Sequence, residues 1–300
     1  QGKPVDVRVS TYPTQYGEKV VMRILDQSKG LVGLDKMGFE PETIKLWKKA
    51  YTSGNGIVLV TGPTGSGKST TLYATLTRVN TVEEHIITIE DPVERQLEGI
   101  IQGHVNERAG MTFAAALRSM LRQDPDVIMV GEMRDRETAD LAIRAALTGH
   151  LVFSTLHTNS AAASYTRLVD MGCDPFLLTT TIRAILAQRL IRKLCYKCKV
   201  KYKPTEKDLK SLGIEKLDGF IYHANSNGCK TCGKDGYKGR AGIYELLIPN
   251  EAINEAVKNE ASSEEVSRIA AEHKMKTLQQ AAFNYVLRGD TSVEEINRVL

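Results

Sequence analysis

Four short apolar runs punctuate the first half of the chain, at residues 57–60, 86–89, 127–130 and 151–153. None shows strict alternation with polar residues and none is long enough for a buried helix. Each therefore predicts a strand covered on both faces. Between them lie stretches of helical character: residues 69–79, a segment capped by Thr112 and running to about Arg122, and an Ala-rich segment over 137–147 closed by Gly149. Strand and helix in alternation predict an α/β fold with a predominantly parallel sheet. Upstream, Val5, Val7 and Val9 alternate with Asp6, Arg8 and Ser10, which predicts a half-buried strand; a turn at Gly17 and a second strand over 20–25 complete a hairpin. Residues 26–35 suit a linker, and 41–50 a helix with proline in its first turn. Downstream, helices are expected over 161–171 and 175–193, a strand over 239–247 and a helical tail over 250–300. In that tail Ser262 with Glu265, and Thr291 with Glu294, have capping-box spacing.

The first apolar run leads into Gly62, Pro63, Thr64, Gly65, Ser66, Gly67, Lys68, Ser69 and Thr70, which fit G-x-x-x-x-G-K-[ST]. Glycines let backbone N–H groups converge on phosphate oxygens where a Cβ would clash. The helix that follows turns its unpaired N–H groups and positive dipole end on the same anion. In this pattern Lys68 reaches the β- and γ-phosphates and the Ser69 hydroxyl holds Mg²⁺.

Ligands of parallel sheets sit beyond the carboxyl ends of the strands, and the other runs end there in polar groups. Glu132 follows the run 127–130, where a carboxylate can polarise an attacking water or hold Mg²⁺ through water. Glu90 and Asp91 end their run in the same way, so two acidic strand ends could divide the work; Glu132 is the expected principal base. His157 ends a fourth run, and its neutral imidazole offers one donor and one acceptor to a γ-phosphate. By pattern alone Arg8 and Arg23 are solvated strand residues.

Of five cysteines, Cys173 stands alone and is expected to pack as a small hydrophobe. The others form two C-x-x-C pairs, Cys195 with Cys198 and Cys229 with Cys232. Each pair can take two corners of a tetrahedron around Zn²⁺, and four thiolates leave no open position, so the expected site is structural. The segment between the pairs must then fold as an insertion of its own.

The bulk numbers narrow the choice of partners. The chain has 300 residues, 42% of them apolar, and a net charge of +4, which permits an acidic partner without demanding one. No apolar run approaches the roughly 20 residues that span a bilayer, so any membrane role is expected to be indirect. The first residues, Gln1-Gly2-Lys3-Pro4, are neither an initiator methionine nor a signal peptide, and a longer parent chain is expected.

Several motifs agree in order as well as content. After the glycine-rich loop come Thr88-Ile89-Glu90-Asp91-Pro92-Val93-Glu94, Leu121-Arg122-Gln123-Asp124-Pro125-Asp126, Gly131-Glu132-Met133-Arg134-Asp135, and Thr148-Gly149-His150 through His157-Thr158-Asn159. Over essentially its whole length the chain resembles the traffic ATPases of bacterial type II secretion and type IV pilus assembly, and these segments match the family's Walker A, aspartate, Walker B and histidine boxes. The resemblance implies a RecA-like, ATP-hydrolysing motor domain in a ring of six subunits, cytoplasmic, and peripheral to the inner membrane through a platform protein. It implies that Arg8 and Arg23, within segments matching the family's Arg-Val-Ser-Thr and Glu-Lys-Val-Val-Met-Arg, act as arginine fingers on the triphosphate. It also implies a division of the chain: the end of an N-terminal domain (1–27), a linker (28–35), the motor core (36–194), a tetracysteine zinc subdomain (195–233) and a C-terminal strand with helices (234–300). The tetracysteine insertion resembles the assembly and secretion branch rather than pilus retraction ATPases.

Two rivals from other classes remain at this point. A hexameric nucleic-acid motor shares the ring architecture, but no basic stripe with interleaved aromatics runs through the sequence. A nucleotide-binding scaffold without turnover is the other.

Overall fold

The computed structural model describes residues 6–25 and 30–300, so Val5 and linker residues 26–29 lie outside the described residues. Strands β1 (Asp6–Thr14) and β2 (Gly17–Leu25) form the expected antiparallel hairpin. It is not half-buried. Val9 is 55% exposed and Ile24 69%, because no second layer among the described residues covers either face.

Helix α1 (Pro41–Tyr51) precedes the central sheet. The chain then runs through β3 (Gly56–Thr61), α2 (Lys68–Val79), β4 (Ile86–Glu90), β5 (Ile101–His104), α3 (Phe113–Met120), β6 (Val127–Val130), α4 (Arg136–Leu147) and β7 (Leu151–Leu156). Helices α5 (Ala163–Asp170) and α6 (Pro175–Thr181) lead into β8 (Ile182–Leu194). A small excursion follows: β9 (Val200–Tyr202), α7 (Glu206–Leu212) and β10 (Ile221–His223). The chain returns through β11 (Tyr237–Leu247) and closes with α8 (Glu251–Lys258), α9 (Ser263–Glu272), α10 (Leu278–Leu287) and α11 (Val293–Val299).

Seven strands form one sheet in the order β11-β8-β3-β7-β6-β4-β5. Every neighbouring pair is parallel except β8 with β11. The apolar runs lie on strands buried on both faces, as expected. Within β3, Ile57 and Leu59 join the cluster of Leu117, Ile143 and Leu178 on one face, while Val58 and Val60 join Trp47, Leu72 and Leu76 on the other. Two crowded faces exclude polar residues from both, which is why alternation is missing from the sequence.

The sequence expectation fails most clearly over 175–193. In place of the single expected helix, α6 ends at Thr181 and the rest is β8, the second strand of the sheet. Ala184, Ala187, Ile191 and Leu194 fall at helical spacing, but they are apolar because β8 is sandwiched between β3 and β11 and covered on both faces. Burial, not helical periodicity, made the pattern. The caps of the tail also shift. Ser292, not Thr291, caps α11 by accepting from Glu295 N, and Thr291 Oγ1 donates to Arg192 O. Ser262 caps α9, yet Glu265 turns its carboxylate to Arg268 instead of back to the cap. Among the described residues no helix is long and apolar enough to cross a membrane.

Candidate functional site

At the carboxyl ends of β3, β4, β6 and β7 the sheet opens into a cleft of about 440 Å³. The glycine-rich loop forms its floor, between β3 and α2. Gly62 has φ 149°, and a Cβ there would sit 2.5 Å from the Gln188 carbonyl oxygen, so only glycine lets the loop close onto β8. Lys68 Nζ donates to Gly62 O at 2.8 Å and to Pro63 O at 3.3 Å. Burial pushes its ammonium below the ordinary 10.5, with Glu132 opposing the shift. Ser66 is 3% exposed and its hydroxyl has no hydrogen-bond partner among the described residues. A buried orphan hydroxyl inside the glycine-rich loop fits a bound phosphate. Ser69, one residue into α2, also lines the cleft and suits a Mg²⁺ ligand.

Glu132 and His157 come together. Glu132 Oε1 lies 3.1 Å from His157 Nε2, and its Oε2 accepts from Arg134 Nε at 2.7 Å. Arg134 also reaches Asp91 at 3.5 Å, and so bridges the ends of β6 and β4. Burial and the neighbouring Lys68 lower the His157 imidazole below its ordinary 6.5, against the pull of Glu132, so it is neutral near pH 7.

Glu90 lines the same cleft but is 5% exposed and heavily engaged. It accepts from the Tyr73 hydroxyl, from Thr88 Oγ1 at 2.6 Å and from Gln102 Nε2 at 3.1 Å. The Tyr73 oxygen in turn accepts from Glu94 N at 3.1 Å. The geometry thus distinguishes the two acidic strand ends, of which Glu132 is the expected principal base: Glu132 has its side chain one-fifth exposed, whereas Glu90 is held by three side-chain donors.

Arg8 and Arg23 face each other in the β1–β2 register, and both line the cleft opposite the loop, joined there by Arg240 of β11. Arg240, Arg134 and Tyr73 were not picked out by the sequence. Arg134 sits inside a recognised box, whereas Tyr73 and Arg240 carry no motif at all.

The four cysteines also converge. Their sulfurs lie within 4.8 Å of one another, with Cys195–Cys229 at 3.7 Å and Cys198–Cys232 at 3.8 Å. Zn–S bonds of ~2.3 Å in a tetrahedron put sulfurs about 3.8 Å apart, so the set fits Zn²⁺. Backbone N–H groups of Cys229 and Gly236 point at Cys232 Sγ. The cluster ties the end of β8 to the start of β11 and encloses the β9–β10 excursion. On that excursion Lys199 and Lys201 stand over Tyr222 and Phe220, a local basic–aromatic pairing formed only by folding. Cys173 is buried away from the cluster, its thiol pushed up to about 11 by burial.

The family model described as "Type II/IV secretion system protein" matches residues 1–298. The chain belongs to this family. Type II/IV secretion system relatives include the type II secretion system protein E of Pseudomonas aeruginosa, 49% identical over 298 residues, covering 99% of this chain and 59% of that protein. The type II secretion system ATPase E of Vibrio cholerae is 46% identical over 299 residues, with the same two coverages. The type IV pilus assembly ATPase PilB of Thermus thermophilus is 46% identical over 295 residues, 97% of this chain and 33% of that one. The chain therefore spans about three-fifths of the type II relatives. Among solved structures, the pilus retraction motor PilT with bound ADP superposes with a TM-score of 0.68 at 30% identity, covering 96% of this chain and 76% of that one. The Legionella pneumophila ATPase DotB gives 0.69 at 23% identity, covering 98% and 72%, a likeness of fold. The RecA-like α/β character expected of the family is thus shown.

Proposed function

We propose that this chain is the motor portion of an ATP-hydrolysing ring of six subunits that powers type II secretion or type IV pilus assembly. The observation that carries this is the convergence on one cleft of the glycine-rich loop, the Glu132–His157 pair and the facing pair Arg8 and Arg23. The names of the V. cholerae and T. thermophilus relatives, both called ATPases, support it.

In this mechanism the amides of residues 62–70 and Lys68 bind the phosphates. Ser69 would hold Mg²⁺, which would supply neutralisation of phosphate charge. Glu132 orients the attacking water and accepts its proton, with its carboxylate fixed by Arg134 on one oxygen and by His157 on the other. His157 reports on the γ-phosphate, and Glu90 braces the metal side of the cleft. Arg8 and Arg23 reach across from the hairpin to stabilise charge as the β–γ bond breaks. The residue ranges 1–27, 28–35, 36–194, 195–233 and 234–300 are the proposed structural units. Cys195, Cys198, Cys229 and Cys232 would hold Zn²⁺, which would keep the strand-to-strand excursion folded. The ring works on the cytoplasmic side and meets the inner membrane through a platform protein.

The test is Mg²⁺-dependent ATP hydrolysis by the assembled protein. Glu132→Gln is expected to lower turnover by at least about a hundredfold while nucleotide binding survives, and single-stranded DNA is expected to leave the wild-type rate unchanged. Stimulation by DNA would point to a nucleic-acid motor, and a wild-type ring without turnover to a scaffold.

A further inference from the structure

Strand β8 carries two adjacent buried polar residues, Gln188 and Arg189, 2% and 7% exposed. Its pairing with β3 stops at Thr61 opposite Ala187, and its next residues run beneath the glycine-rich loop. The Gln188 amide is used at both ends. Nε2 donates to Ser66 O at 2.7 Å, and Oε1 accepts from Thr71 Oγ1 at 2.9 Å. A Cβ added at Gly67 would come within 3.1 Å of the same Nε2. One side chain thus joins a loop carbonyl to the first turn of α2. Only a group that both donates and accepts satisfies Ser66 and Thr71 together.

Arg189 leaves the strand on the other face, as alternation requires. Its guanidinium donates to Asn159 O at 2.8 Å and to Gln188 O at 3.1 Å. Asn159 is two residues past His157. Glu245 of β11, 4% exposed, is the charge facing Arg189. Its carboxylate accepts from Ala161 N at 2.8 Å and from Leu278 N, the first residue of α10, at 3.2 Å. The segment after β7 is therefore gripped at Asn159 and Ala161, and the grip extends to the C-terminal helices. Buried charged groups are seldom the most stable filling for such a space, so the place of Arg189 and Glu245 beside the His157 segment points to a role other than stability.

We propose that Gln188 and Arg189 are positioning residues for ATP turnover: Gln188 sets the glycine-rich loop, and Arg189, through Asn159 O, sets the segment that presents His157, which Glu245 couples to α10 through Ala161 N and Leu278 N. This rests on the ATPase function proposed above. Displacement of the helical layer at α10 moves the His157 segment through Glu245, while Gln188 leaves the phosphate cradle in place.

The test measures the affinity of the assembled protein for ADP and for a non-hydrolysable ATP analogue by calorimetry, with turnover and melting curves alongside. Gln188→Met is expected to weaken both nucleotides alike, by about tenfold. Thr71→Val, which removes one partner without touching the strand, should weaken both in the same direction. The double variant Arg189→Met with Glu245→Gln leaves no unpaired buried charge. It should keep ADP affinity, lose any preference for the analogue, and lower kcat by about a hundredfold with little change in KM. A folded double variant with unaltered preference and kcat, or unaltered affinities in Gln188→Met and Thr71→Val, overturns the inference while wild-type turnover leaves the ATPase function standing. Wild type that binds neither nucleotide overturns both. Wild type that binds without hydrolysing overturns the function and the turnover role of Arg189 with it, and the affinities then decide the role of Gln188 at the loop.

Discussion

His157 Nε2 stands 3.1 Å from Glu132 Oε1, and Arg134 occupies the other oxygen of that carboxylate. Because burial and Lys68 lower the imidazole, it meets Glu132 with a single N–H near pH 7 and leaves the carboxylate its negative charge. Acidification adds a second proton and a positive charge beside Lys68 and Arg134, and it converts the contact into an ion pair that competes with water for Glu132. Turnover is therefore expected to be flat from neutral to mildly alkaline pH and to fall on the acid side with a midpoint below 6.5. His157→Gln should remove that limb and cost about a hundredfold in kcat. Rate profiles of the two proteins check this; an unchanged acid limb in the variant would assign it to another group.

The engagement of Glu90 by Tyr73, Thr88 and Gln102 predicts an order of sensitivities. Glu132→Gln should cost on the order of 10²–10³ in kcat or more, since it removes the carboxylate left to orient water. Tyr73→Phe, which deletes one brace, should cost about tenfold, since one charge-assisted hydrogen bond is worth ~1.5–3 kcal/mol and two other donors remain. Single-turnover rates at saturating nucleotide separate these effects from binding. The opposite order would move the base to Glu90.

The tetracysteine cluster predicts one zinc per chain by elemental analysis. Sulfurs 3.7 and 3.8 Å apart are too distant for disulfides and match a metal tetrahedron. Cys229→Ser should lower metal content and the melting temperature together, because a metal held by the four cysteines would close the excursion between β8 and β11. Full thermal stability after complete metal removal would show that the excursion holds itself.

How much of this was legible depended on whether a residue's job is local. The loop 62–70 is a local device: its glycines, lysine and serine act through spacing along the chain, and so does the C-x-x-C pairing. The strands over 86–89 and 127–130 were legible because a run of four residues that is apolar, or apolar but for Thr88, is too short for a buried helix and suits a strand covered on both faces. Strand β8 was not. Its apolar residues satisfy a helical period as well as a two-faced strand, and only its neighbours β3 and β11 decide between them. The roles of Tyr73, Arg134 and Gln188 were invisible for a related reason. Each acts on groups that only the fold brings to it, and a lone Tyr, Arg or Gln gives no sign of that partner. Thr291 shows the same limit at close range: its hydroxyl is taken by Arg192 O of β8, a partner only the fold supplies, and the neighbouring Ser292 caps α11.

Glu295 gives the clearest pH prediction for stability. It is 1% exposed, and its carboxylate accepts from Arg192 N and Nε at 2.8 and 2.9 Å and from Arg298 Nε and Nη2 at 2.8 and 2.6 Å. Burial pushes this carboxyl up, but the donors from Arg298 and Arg192 outweigh it and bring the value from 4.5 down to about 2. A carboxylate depressed in the folded state adds stability that is fully present above its unfolded value. That stability is lost as the pH falls from about 4.5 through about 2. Since Arg192 lies on β8 and Glu295 on α11, the contribution anchors the last helix to the sheet beside the cysteine cluster. Glu295→Gln should therefore lose about 2–3 kcal/mol near neutral pH, where it gives up charge-assisted hydrogen bonds, and much less near pH 2, where the wild type has begun to lose its own charge. Urea unfolding at the two pH values measures the difference. If the variant and the wild type lose stability in parallel on acidification, the anchor does not depend on this carboxylate's charge.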